Sequence, residues 1–157
     1  MIVLEEMDGA DFQEYLKFSI ENYANEKVKA GTWKKEEAEA LAGDQLARIL
    51  PQGKETPNHF LFNIVEMDNS RKAGVLWLGI LESGRDYAGA YVWDIVINPE
   101  FRGKGYGKQA MIAAEEKAKA LGQRRITLHV FGHNTVAINL YKSTGFNVTD
   151  LIMSKEI

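Results

Sequence analysis

The spacing of hydrophobic positions changes several times along this chain, and each change marks a new element. "IVLEE" near the start predicts a short strand. After the turn signal Asp8-Gly9, Phe12, Leu16, Ile20 and Tyr23 recur at helical spacing. A second helix is expected from about Thr32, with Ala38, Leu41, Leu46 and Ile49 on one stripe and Pro51-Gln52-Gly53 ending it. "HFLFNIVEM" and "AGVLWLGIL" are rich in aromatic and β-branched residues and flank Asp68-Asn69-Ser70-Arg71, which predicts an antiparallel hairpin. "SGRDYAG" then leads to a third strong strand, "AYVWDIVI". Further on, Met111, Ala114, Ala118 and Leu121 mark a helix stopped by Gly122, "RITLHVF" a strand, Ala137 to Lys142 a short helix and "FNVTDLIMSKEI" a final strand. This mixture of types places the chain in the α/β class.

No repeat, low-complexity stretch or linker interrupts these elements. A length of 157 residues with 45% hydrophobic composition therefore suits a single domain over 1–157. The absence of cysteine removes disulfides, thiolate metal sites and a thiol nucleophile, which leaves only His59, His129 and His133 as poor support for a metal; none is expected. The start lacks a basic segment followed by a long apolar run, and no later run approaches the roughly 18 apolar residues of a membrane span, so the expected compartment is the cytoplasm, with no membrane partner. A net charge of −3 argues against nucleic acid as a partner. The charge is unevenly spread: acids crowd the first third, from Glu5 to Glu39, and bases crowd the last third, from Arg102 to Arg125.

Candidate chemistry concentrates in "INPEFRGKGYGKQAM", between a predicted strand and a predicted helix. Gly103, Gly105 and Gly107 alternate among Arg102, Lys104 and Lys108. Glycines allow a backbone curl in which successive N–H groups face one concavity, and the helix that follows adds its positive dipole end. Such a cradle suits a phosphate or pyrophosphate, with the cations at its rim. The same residues, "GYGKQA", fit the dinucleotide pattern G-x-G-x-x-A, which keeps an NADP-binding protein as an alternative. Against it, "NPEF" separates the glycines from the strand, and about fifty residues are too few for the rest of that fold.

The stretch "IVINPEFRGKGYGKQAM" resembles the cofactor motif R/Q-x-x-G-x-G/A of the GNAT superfamily of acyl-CoA N-acyltransferases, through Arg102, Gly105 and Gly107. A second stretch, "NTVAINLYKSTGF", is similar to that superfamily's N-x-x-A-x-x-x-Y-x-x-x-G-F segment through Asn134, Ala137, Tyr141, Gly145 and Phe146. The resemblance covers about Tyr91 to Phe146 and implies a mixed, mostly antiparallel twisted sheet flanked by helices, with splayed central strands. It implies acetyl-CoA as cosubstrate: Ile95, Val96 and Ile97 bonding pantetheine through their backbone, and Gly103, Lys104, Gly105, Tyr106, Gly107 and Lys108 around the pyrophosphate. Asn134 would cap the short helix or reach the pantetheine arm. Tyr141 would sit beside the sulfur and hydrogen-bond the developing thiolate, since full proton donation from a phenol to a weaker base is uphill.

The implied reaction is direct acetyl transfer to a primary amine, without a covalent enzyme intermediate. An ammonium must first lose a proton, and three residues are candidate bases: His129, where related amino-terminal acetylases carry glutamate; Asp94, a mid-strand carboxylate among apolar neighbours; and Glu82, at the end of a neighbouring strand. Tyr91 stands near where some lysine acetylases of the superfamily place their glutamate. The acidic first third, with Trp33 or Trp77 as an aromatic face, leads us to expect a cationic small-molecule or peptide acceptor, and a homodimer is left open. A module that binds or senses acyl-CoA without turnover is the other alternative.

Overall fold

The computed structural model describes residues 1–82 and 87–157; the beginning of the linker "SGRDYAG" lies outside the described residues. Among the described residues five strands form one sheet in the order β1-β2-β3-β4-β5: β1 Ile2–Glu6, β2 His59–Glu66, β3 Lys72–Leu81, β4 Gly89–Ile97 and β5 Ile126–Leu128. The first three pairings are antiparallel. The last, β4 with β5, is parallel. Two helices, α1 Gly9–Lys29 and α2 Lys35–Ile49, separate β1 from β2, while α3 Tyr106–Ala120 and α4 Thr135–Ser143 flank β5.

Local chemistry explains the boundaries. Asp8 caps α1 by accepting the Asp11 N–H at 2.8 Å, and Lys27 and Lys29 complement the helix dipole in its last turn. The second helix begins at Lys35, three residues later than its apolar stripe predicted, because Thr32 and Trp33 fold back so that their N–H groups bond the Lys27 carbonyl. In the hairpin β2–β3, six consecutive residues of β2 are buried, since helices or neighbouring strands cover both faces. One cluster, including Ile64, Leu76, Leu78, Met111 and Ala114, joins the sheet to α3. A second, with Phe12, Tyr15, Leu50, Leu61 and Trp77, joins the opposite face to the amino-terminal helices.

Two features position the site. Trp77 pairs with Asp94 and Leu78 with Val92, so Trp93 is the extra residue of a β-bulge that re-aims its neighbours. β4 and β5 pair only through Ala90–Val92 and Ile126–Leu128, and beyond that the strands diverge. The expected splayed sheet is therefore present.

The expected strand "RITLHVF" keeps its pairing only to Leu128, so His129 lies just past the strand end. The expected final strand is not one: 147–157 has no ladder and is exposed throughout. Its apolar pattern is strand-like, but a strand is stabilised only by a paired edge, and β5 offers three residues.

Candidate active site

The chain leaves β4 at Asn98, makes a 3-10 turn at Pro99–Phe101, and then enters the glycine loop. Gly103 and Gly105 have φ of +76° and +77°, left-handed values that favour glycine, and Gly105 is the N-cap of α3. Among the described residues no side chain caps that helix, which leaves its first N–H groups to face an anion. The loop is held from outside. The Tyr106 hydroxyl donates to Glu66 at 2.5 Å, and the Arg71 guanidinium and Lys104 ammonium lie 4.5 and 4.9 Å from the Phe101 ring centre.

A cavity of about 650 Å³ runs from this loop along the fork between β4 and β5. Arg102, Gly103, Gly105, Gly107 and Lys108 line one end. Ile95, Val96 and Ile97 follow on the edge of β4 that β5 has left, facing Asn134, Ala137 and Tyr141 of the α4 segment. Asn134 caps α4, its side-chain oxygen accepting the Ala137 N–H at 3.1 Å. Burial, and then the charge of Asp94, push the Tyr141 hydroxyl up to about 12. It is therefore a proton-bearing donor throughout the neutral range.

The far end is walled by Ser19, Tyr23 and Glu26 of α1, Leu46 and Ile49 of α2, and the rings of Trp77, Tyr91, Trp93 and Phe131. Trp77 and Trp93 stack at 5.4 Å, and Tyr91 packs on Trp93 at 4.8 Å. Asp94 sits on this aromatic floor. Burial pushes its carboxyl up to about 6, against hydrogen bonds from Tyr15 and the Ile95 backbone. His129 lines the same end, and burial, then the charge of Lys27, lower its pKa. Burial would raise Glu26, but bonds from His133 and Lys29 outweigh it and hold the carboxyl below its ordinary range.

A glycine cradle at a helix start, opening onto a strand fork that ends at a phenol and a carboxylate, is an arrangement with known relatives. The profile of the Acetyltransferase (GNAT) family matches residues 20–146. The chain belongs to the GNAT family. It is 40% identical over 156 residues to the uncharacterized N-acetyltransferase YycN of Bacillus subtilis, covering 99% of both chains. Its fold superposes on a crystal structure of YycN with a TM-score of 0.93 at 39% identity, covering 100% of this chain and 99% of that one. The PaiA N-acetyltransferase of Thermoplasma acidophilum, solved with coenzyme A, shares the fold at a TM-score of 0.69 and 20% identity, covering 97% and 93% of the two chains.

Within this GNAT domain the structure gathers most of the residues singled out by sequence. Arg102 lines the cavity while its Nε donates to the Ile97 carbonyl at 3.1 Å, tying the loop to the end of β4. Lys104 is turned away: it does not line the cavity, and its ammonium lies 3.7 Å from Glu66 Oε1. Tyr106 lines the cavity although its hydroxyl points to Glu66. Glu82 is exposed at the end of β3, outside the cavity, whereas His129, Asp94 and Tyr91 are in it.

The acids of the first third do not converge. Glu26 alone among them lines the cavity, and Asp11 bonds Lys72 and Asn63 elsewhere. Trp77 reaches the cavity, whereas Trp33 instead borders the Lys27 ammonium at 5.3 Å. Sequence reasoning missed Tyr15, Tyr23, Trp93 and Phe131. Their one signal was an aromatic placed on an otherwise aliphatic stripe or strand, which a packed core also produces.

Proposed function

We propose that this protein transfers an acetyl group from acetyl-CoA directly to a primary amine. One observation carries the reading: a single cavity joins an uncapped, glycine-lined helix start to an unpaired strand edge and then to Tyr141 and Asp94. The cradle fits a pyrophosphate, with Lys108 and Arg102 at its rim. The edge of β4 from Ile95 to Ile97 offers backbone donors and acceptors to a pantetheine arm laid alongside it as an added strand.

The acceptor end supports an amine whose ammonium lies against the aromatic floor and between the Asp94 and Glu26 carboxylates. Asp94 takes one proton from the ammonium. The freed nitrogen attacks the thioester carbon, the C–N bond forms, and the C–S bond breaks with its electron pair left on sulfur. Tyr141 donates a hydrogen bond to that sulfur. The second nitrogen proton passes to the departing thiolate, so the products are an N-substituted acetamide, free coenzyme A as its thiol and protonated Asp94. His129, neutral above its lowered pKa, is the alternative base.

Thiol release from acetyl-CoA over a panel of diamines, monoamines and basic peptides tests this. Amine-dependent release is expected. Coenzyme A binding without release for any amine would leave a binding module instead.

A further inference from the structure

We propose that Tyr15 is a positioning residue for this reaction: its hydroxyl, carried on helix α1, holds the Asp94 carboxylate on the floor of the acceptor end. The inference rests on Asp94 being the proton acceptor. Tyr15 is 4% exposed in a cluster with Met7, Phe12, Leu50, Leu61 and Trp77. A phenol in such surroundings needs a hydrogen-bond partner. Its hydroxyl donates to Asp94 Oδ2 at 2.9 Å, across 79 residues of sequence.

Ser19 follows one helical turn later, is 6% exposed and lines the cavity. Asp94 and Ser19 thus line the cavity, and Tyr15 lies behind its wall. A carboxylate is a costly partner for a phenol whose need a neutral oxygen would meet, so the charge at Asp94 serves something besides satisfying Tyr15.

The groups acting on Asp94 are few. Tyr15 comes from α1 and the Ile95 N–H from its own strand, and Asp94 in turn acts on Tyr141 of α4. Trp77, opposite on β3, is not ionisable and gives its own N–H to His59 at 2.9 Å. Among the described residues no lysine or arginine contributes to the Asp94 carboxyl, so the Tyr15 bond is the main support for its ionised form. Removing that bond makes the carboxyl hold its proton to higher pH.

The test is the pH dependence of kcat/KM for Tyr15→Phe with whichever amine supports thiol release. The acidic limb is expected to move up by about one pH unit, with KM for acetyl-CoA unchanged. In an Asp94→Asn background the same substitution is expected to add no further loss. An activity-independent reading comes from ¹³C NMR titration of the aspartate carboxyls, with the Asp94 signal identified by its absence in Asp94→Asn; its midpoint should rise in Tyr15→Phe. If no amine is acetylated, the proposed function fails while the titration still decides the role of Tyr15. Should Tyr15→Phe not fold, Tyr15→Met, which also lacks the hydroxyl, replaces it, with a rise in the same direction. An unmoved Asp94 midpoint, an unmoved acidic limb, or losses that multiply in the double variant would each overturn the proposal.

Discussion

Asp94 is where function opposes stability most plainly. A rise from 3.8 to about 6 means that ionising this carboxyl in the folded protein costs on the order of 3 kcal/mol more than in the unfolded chain. The folded state holds the proton more tightly, so this contribution favours folding below about pH 4 and is lost as pH rises through about 6. Asp94→Asn is therefore expected to raise the melting temperature at pH 7.5 and to leave it nearly unchanged at pH 4, while abolishing the acidic limb of the rate profile. Thermal denaturation at the two pH values checks it; equal shifts at both would mean that the carboxyl is not desolvated. At Tyr141 the expectation differs, because in the proposed reaction its hydroxyl meets only the departing sulfur. Tyr141→Phe should lower turnover roughly tenfold to thousandfold with coenzyme A affinity nearly unchanged. Unchanged single-turnover rates would reduce Tyr141 to packing between α4 and the sheet.

Among the elements, the glycine loop makes the sharpest demand on sequence. Gly105 combines a left-handed φ with the N-cap position, and nothing lies within 4 Å of a Cβ built there, so the constraint is backbone conformation together with the space an anion needs. Gly105→Glu brings conformational strain and a negative charge to the helix start: coenzyme A is expected to raise the melting temperature of the unaltered protein and to leave that of the variant unchanged. Normal binding by this variant would place the pyrophosphate elsewhere. This loop was legible in the sequence because its need for glycine, for cations and for a following helix is local. The hairpin, the two amino-terminal helices and the Asn134 cap were legible for the same reason. The acceptor wall was not, because it depends on α1 crossing the sheet face opposite α3: Tyr15 meets Asp94 from 79 residues away, and period alone cannot say which ring of an apolar stripe faces a cavity. The carboxyl-terminal strand was misread for the converse reason, since its own pattern is strand-like but pairing depends on an edge that pattern does not reveal.

For the molecule as a whole, the fork makes one side weaker than the other. β2 and β3 are paired along nearly their whole lengths and carry the main core, whereas β5 is joined to β4 through three residue pairs and α4 has no fully buried residue. Segments with few buried contacts open at lower free energy than the core. A ligand lying in the fork would touch both sides, from Ile95–Ile97 on β4 to Asn134 and Tyr141 on the α4 side, and so would tie the weaker part to the stronger. At a hundredfold excess over its dissociation constant it would stabilise the native state by about 2.7 kcal/mol, roughly 5–11 °C in melting temperature for a domain of this size. That stabilisation reaches every amide whose opening releases the ligand. With coenzyme A at this excess, hydrogen exchange is expected to slow about a hundredfold in β2 and β3, where core amides open with global unfolding, and also in β5, α4 and the first turn of α3, where opening the fork expels the ligand, while the exposed residues 147–157 stay unchanged. Slowing in β2 and β3 with none in β5 and α4 would mean that those segments open with the ligand still held by the glycine loop alone, so that the fork stays unbridged.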